Sequence, residues 1–149
     1  MRRIVACLAL VLAAPLGAQA QSGPPHAWLF GTWTGGLYPA PARPTAAQCL
    51  AHPTVIFTQD VVLRATLMDV IYLQREIETA LTTAGSTEIR FVAAAPVGNG
   101  LLGVAAGPGA PGFGCESPDV LHVQRHGENE IIFPGCADFP NPLVRCPSP

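Results

Sequence analysis

From Val61 to Phe91 apolar side chains recur at every second position, and a period of two restricts such a stretch to extended ribbons with one face against a core. Val61, Leu63, Ala65 and Leu67 alternate with Val62, Arg64, Thr66 and Met68, which predicts a strand whose first row is buried and whose second is mixed. Residues 54–59 read as its predecessor, and Asp69 marks the turn to its successor. Residues 71–81 carry two periods at once. Alternation gathers Ile71, Leu73, Ile77 and Leu81, whereas helical spacing gathers Leu73, Ile77, Leu81 and Ala84. Strand is the reading adopted for 70–84, because Ala84-Gly85-Ser86 is a turn signal and Ile89 and Phe91 resume the alternation as a hairpin would.

The flanking segments extend this pattern. Residues 27–38 (AWLFGTWTGGLY) place Leu29, Trp33 and Leu37 on one parity, as in a first strand bent at its glycines. A proline-rich loop covers 39–44. Thr45 and Gln48 then form a capping-box pattern, predicting a helix of a turn or two that ends before Pro53 and carries Cys49. Residues 95–118 are a long Gly/Pro/Ala loop. Residues 120–125 and 130–133 flank His126-Gly127-Glu128-Asn129 as a second hairpin, and 134–149 read as a proline-rich tail that a disulfide could pin. No internal repeat appears. The fold class expected is all-β: a small antiparallel up-and-down barrel or closed meander of about seven to eight strands with one short helix, closed or covered at its edges.

The N-terminus gives the compartment. Arg2 and Arg3 precede an apolar run over 4–16 broken only by Pro15, and Ala18-Gln19-Ala20 is a small-x-small cleavage site, so residues 1–20 read as a signal peptide. The run is shorter than the roughly 20 residues of a spanning helix. No second long apolar run follows. The expectation is a single domain over 21–149, periplasmic or extracellular, with no membrane span once the signal is removed. The chain of 149 residues is 49% hydrophobic and 12% charged, which excludes a disordered chain. Its basic residues are all arginine and its formal charge is −2, so no field exists to hold nucleic acid as a partner.

Beyond Cys7 in the signal, the cysteines are Cys49, Cys115, Cys136 and Cys146, an even set that in an exported chain favours two disulfides. Three connectivities are open. The favoured one joins Cys136 to Cys146 around Pro140 and Pro142, leaving Cys49 with Cys115. No C-x-x-C pair occurs and the spacings are irregular, so neither zinc nor another cofactor is expected.

Residues that could carry chemistry are few. His122 and His126 have a metal-ligand spacing on a helix, but on a strand they lie about 13 Å apart at roughly 3.3 Å per residue, and read as sheet histidines. Gly35-Gly36 and the glycines of 98–114 match neither a phosphate loop nor a G-x-S-x-G elbow. An enzyme would need a cleft that gathers His52, His122 or His126 with Asp60 or Asp69; no catalytic residue is assigned. Glu76 and Glu78, with Arg64 and Arg90 opposite, read as a solvated ion-pair face. Arg75 shares parity with Leu73 and Ile77, and Arg125 with Leu121 and Val123, so both arginines point to the apolar side. There a guanidinium is either the cationic pole of a cavity for an anionic ligand or a cover over an aromatic ring, bonded to loop carbonyls.

Gly31-Thr32-Trp33 on a first strand, with Arg125 on a late one, resembles the signature of lipocalins and the wider calycin group. The resemblance implies an up-and-down barrel whose G-x-W tryptophan, Trp33, packs at the closed end against an arginine, for which Arg125 is the candidate. The chain lacks the T-D-Y segment of that group. The motif is also similar to that of the small G-x-W barrels of secreted bacterial metalloprotease inhibitors. Residues 28–36 and 119–125 resemble those of small exported proteins of GC-rich proteobacteria, which implies a compartment and no activity. The functional expectation is a non-enzymatic exported binding or scaffold module holding a small apolar or anionic ligand inside the barrel, with Arg75, Arg125 and Trp33 as contacts. Gly31, Trp33 and the four cysteines are structural. The alternative is a protein-protein module such as a periplasmic protease inhibitor, acting through residues 21–25 or the 96–114 loop.

Overall fold

Eight strands run in chain order around the wall of the molecule, each antiparallel to its neighbours, and the last returns to pair with the first. They are β1 (Gly31–Gly35), β2 (Thr54–Phe57), β3 (Val61–Arg64), β4 (Leu73–Thr83), β5 (Ser86–Phe91), β6 (Val120–Arg125), β7 (Glu130–Ile132) and β8 (Leu143–Arg145), with one short α-helix among the described residues, α1 (Ala46–Ala51). This computed structural model describes residues 23–51, 54–65, 72–93 and 112–147. The signal segment, His52, Asp69 and most of the 95–118 loop lie outside the described residues. Closure through Trp33↔Arg145, Thr34↔Val144 and Gly35↔Leu143 leaves the sheet without an open edge.

The closing strand falls within 134–149, where the sequence suggests only a tail. Pro142 and Pro147 flank Leu143-Val144-Arg145 rather than interrupt it, so neither removes a ladder donor from inside the strand. The first strand is shorter than expected. Residues 27–29 form a 3-10 turn, extension begins at Gly31, and Leu37 lies beyond the strand end on the surface. Two glycines set this shape. Gly31 has φ +114°, with the Arg145 guanidinium 3.4 Å from where a Cβ would stand, and Gly36 has φ +86° with the Phe139 ring in the Cβ position.

The buried row of β3 is the opposite of the one expected. Val62 is fully buried, whereas Val61 and Leu63 are only half-buried. Directly paired residues share a face, and Val62 pairs with Phe57 on one side and Arg75 on the other, both of which point inward. β4 is a strand and the helical alternative falls. Its parity inverts at a bulge between Ile77 and Thr79, so Arg75 and Ile77 face in, Ala80 and Thr82 take over, and Leu81 is 65% exposed instead of joining the row of Ile77. At α1 the expected capping box forms: the Thr45 amide donates to Gln48 Oε1 (2.9 Å) and the Gln48 amide to Thr45 Oγ1 (3.3 Å).

The disulfides join Cys49 to Cys146 and Cys115 to Cys136, which corrects the favoured pairing. The reason is β8. It runs between Cys136 and Cys146 and carries them to different places. Cys146 leaves the barrel beside β1, where its amide donates to the Thr32 carbonyl, while the turn at Cys136 packs on residues 112–119 through Ala137 N–H to Gly114 O.

The interior is apolar. Val55, Phe57, Val62, Ile89, Phe91, Leu121, Val123, Ile131 and Leu143 project inward, and Phe113, Phe133 and Phe139 close over them. Ring centroids lie 5.2 Å apart for Phe133–Phe139, 5.7 Å for Phe91–Phe113, 5.9 Å for Phe113–Phe133 and 6.3 Å for Phe57–Phe133, all within contact range.

Candidate functional site

Each end of the barrel holds a pair of arginines, and the two pairs differ in what neutralises them. At the end closed by residues 112–119 and 133–142, the buried Arg75 guanidinium donates to Asp119 Oδ1 (2.5 Å), Pro118 O (2.8 Å) and Val92 O (3.4 Å), and lies 4.9 Å from the Phe91 ring centroid. Arg75 thus points inward as its parity predicts, and there it covers a ring and bonds loop carbonyls. Arg64 is held in a similar way. It donates to Asp138 (2.6 Å) and to the Gly112 carbonyl, near the rings of Phe113 and Phe139. Its expected place on a solvated face with Glu76 and Glu78 is therefore wrong, because Arg64 shares the inward row of Val62. Both guanidiniums are bonded to the plug. Asp119→Ala, which leaves Arg75 buried with carbonyls alone, should cost about 1–3 kcal/mol, read as a lower urea midpoint at unchanged slope.

The opposite end is closed by residues 23–30. His26 is buried, and its Nε2 donates to the Thr58 and Gln59 carbonyls (3.2 and 3.1 Å), fastening this segment to the turn between β2 and β3. Trp28 Nε1 donates to Thr87 Oγ1 (2.9 Å), and Thr82 Oγ1 to Pro25 O (2.8 Å). Trp33, 1% exposed, donates from Nε1 to Leu29 O at 2.8 Å. The arginine over Trp33 is Arg145, with its guanidinium carbon 4.3 Å from the ring centroid and its nitrogens donating to Phe30 O (2.7 Å) and Trp28 O (2.6 Å). The expected partner, Arg125, instead lies 4.6 Å from the Trp28 centroid. Arg125 is exposed at the end of β6, away from the place on β1 to which the closing strand delivers Arg145.

Arg125 and Arg145 are near enough to oppose each other. Burial first, and the Arg125 charge second, lower the Arg145 pKa from its ordinary value. Among the described residues no carboxylate oxygen lies within 4 Å of either guanidinium; the ion pairs found are Arg64–Asp138, Arg75–Asp119, Arg90–Glu88 and His122–Glu88. Arg125 opens onto a cleft of about 910 Å3 that Pro24, Pro25, Trp28, Thr82 and Gly85 also line.

The remaining candidates do not converge. His122 is exposed on β6, 3.9 Å from Glu88, and His126 is exposed just beyond that strand. Asp60 is exposed beside β3. Among the described residues no three His, Cys, Asp or Glu side chains are placed to hold a metal, and no helix is long and apolar enough to cross a membrane. Sequence reasoning does not find Arg145 or Trp28 as parts of this end. The signal that could have found Arg145 is the apolar pair Leu143-Val144 directly before it, a short strand-like run between prolines.

The fold defines a class, a small closed eight-stranded antiparallel barrel with an apolar interior, in keeping with calycin-type folds in general. Compared with known proteins, the chain matches no family model, no curated protein and no solved structure.

Proposed function

We propose that this chain is an exported, non-enzymatic interaction module that works from its outer surface, with the barrel interior serving stability alone. The observation that carries the reading is the inward packing: phenyl rings in mutual contact close over the apolar side chains, and Arg75, the inward cation read as a ligand contact, is bonded to Asp119 and two carbonyls. A small molecule held inside would have to displace that packing, and cores at protein density give way only at a cost of several kcal/mol. The protein-partner reading is therefore preferred over the internal-ligand one. Its sharper form, protease inhibition, draws on residues 21–25, and the described part of that segment lies along the open cleft beside Arg125.

Native mass spectrometry of protein secreted by its own signal tests this directly. The expected species begins at Gln21, carries two disulfides and holds no organic molecule. A stoichiometric small molecule released only on unfolding would overturn the reading in favour of an internal ligand.

A further inference from the structure

We infer that the Trp28–Arg125 cleft at the end closed by residues 23–30 is a binding site for a carboxylate borne on a peptide, either its free C-terminus or a Glu or Asp side chain. This rests on the interaction-module reading and names the chemistry of its partner.

The cleft is built from pieces with one thing in common: they hold a guanidinium still and, among the described residues, give it no carboxylate partner. Arg125 stacks on the Trp28 ring at 4.6 Å, and the indole is itself fixed by its hydrogen bond to Thr87, so the fork is positioned before any ligand arrives. Arg90, Arg64 and Arg75 have carboxylate partners within 4 Å, whereas Arg125 has none among the described residues. Glu128 and Glu130 on the adjoining hairpin do not supply one. Arg145 is near enough for its charge to add to that of Arg125, while Nη1 and Nη2 donate to the Phe30 and Trp28 carbonyls. Two guanidiniums in one another's field gain from any anion that approaches them; the Arg145 pKa is lowered first by its burial and only second by the Arg125 charge.

The choice of carboxylate over a bare ion follows from the walls. Pro24, Pro25 and the Trp28 ring give an apolar surface suited to an aliphatic stem, while the planar fork of Arg125 matches two carboxylate oxygens at once. A cleft of about 910 Å3 takes several residues of an extended peptide rather than one small ion.

The test uses the full mature protein with intact disulfides and follows the Arg125 Nε–H and Trp28 Nε1–H resonances. The probes are a blocked tetrapeptide with a central Glu, its Gln counterpart, and the Gln peptide with a free C-terminus. Expected is a saturable shift of both resonances with the Glu or the free-C-terminus peptide, and none with the blocked Gln peptide; the stronger of the two identifies the source of the carboxylate. Arg125→Ala should weaken the affinity about tenfold or more, and Arg125→Lys should fail to restore it, since an ammonium lacks the fork. The Trp33 indole resonance serves as the control that the barrel is intact. Equal shifts with the Gln peptide or with sodium chloride, or unaltered binding in Arg125→Ala, would overturn the site. Such a failure leaves the inward packing and the mass measurement untouched, so the two readings fail separately.

Discussion

Trp33→Ala is expected to destabilise the barrel by about 3–5 kcal/mol, with a fall in Tm on the order of ten degrees or more. Three losses coincide at this position. The indole is 1% exposed, so its removal leaves a cavity that short strands joined by hydrogen bonds on both sides cannot collapse to fill. The Leu29 carbonyl, which ends the 3-10 turn, loses its 2.8 Å donor inside the core. Arg145 loses the ring beneath it and stands half-buried on carbonyls alone. Trp28→Ala is the contrast. That ring is only partly buried, so the same change there should cost clearly less while still freeing Arg125. Thermal unfolding of the two variants side by side separates the closing role of Trp33 from the surface role of Trp28. Equal midpoints would remove the distinction between them.

What is legible in the sequence divides along the same line as local and non-local physics. The strand at 73–83, its tight turn and its partner at 86–91 follow from a period of two and a glycine with positive φ, which are properties of neighbouring residues. The capping box at Thr45 and the inward direction of Arg75 are local in the same sense. Leu81 is the instructive failure. Parity counts forward from Ile77, but one bulge adds a residue between them, and nothing in Glu78 or Thr79 announces it. Val62 shows the other limit. A run of Val-Val-Leu has apolar residues on both faces, so only the partners across the sheet decide which row is inside. At the site, Gly31 and Trp33 are legible as a motif, whereas the choice of Arg145 over Arg125 depends on which strand closes the ring. That strand is three residues long between prolines, too short to show a period.

Removing the Cys49–Cys146 disulfide should be the other large loss. The bond closes a loop with a sequence separation of 97 residues, for which restriction of the unfolded chain amounts to about 4–5 kcal/mol, against about 3 kcal/mol for the separation of 21 at Cys115–Cys136. Geometry adds to the difference. Cys49 sits on α1, a helix of six residues that is too short to persist by itself, and the disulfide anchors it to the exit of the closing strand. Without it, the β8 ladder consists of three paired positions on β1 and two on β7, which is short for the strand that must close the barrel. Cys49→Ser with Cys146→Ser should therefore lower the unfolding midpoint more than Cys115→Ser with Cys136→Ser, and should raise amide exchange first in β8 and β1. The second pair instead fastens the plug, so its loss should expose Phe113 and Phe139 while the β1–β8 pairing stays protected. The connectivity is checked independently by proteolysis without reduction: Cys49 and Cys146 should be recovered in one linked peptide, and titration of the denatured, unreduced mature protein should find no thiol. A Cys136–Cys146 peptide, or a greater loss from opening the shorter loop, would contradict both the pairing and the account of how the barrel is closed.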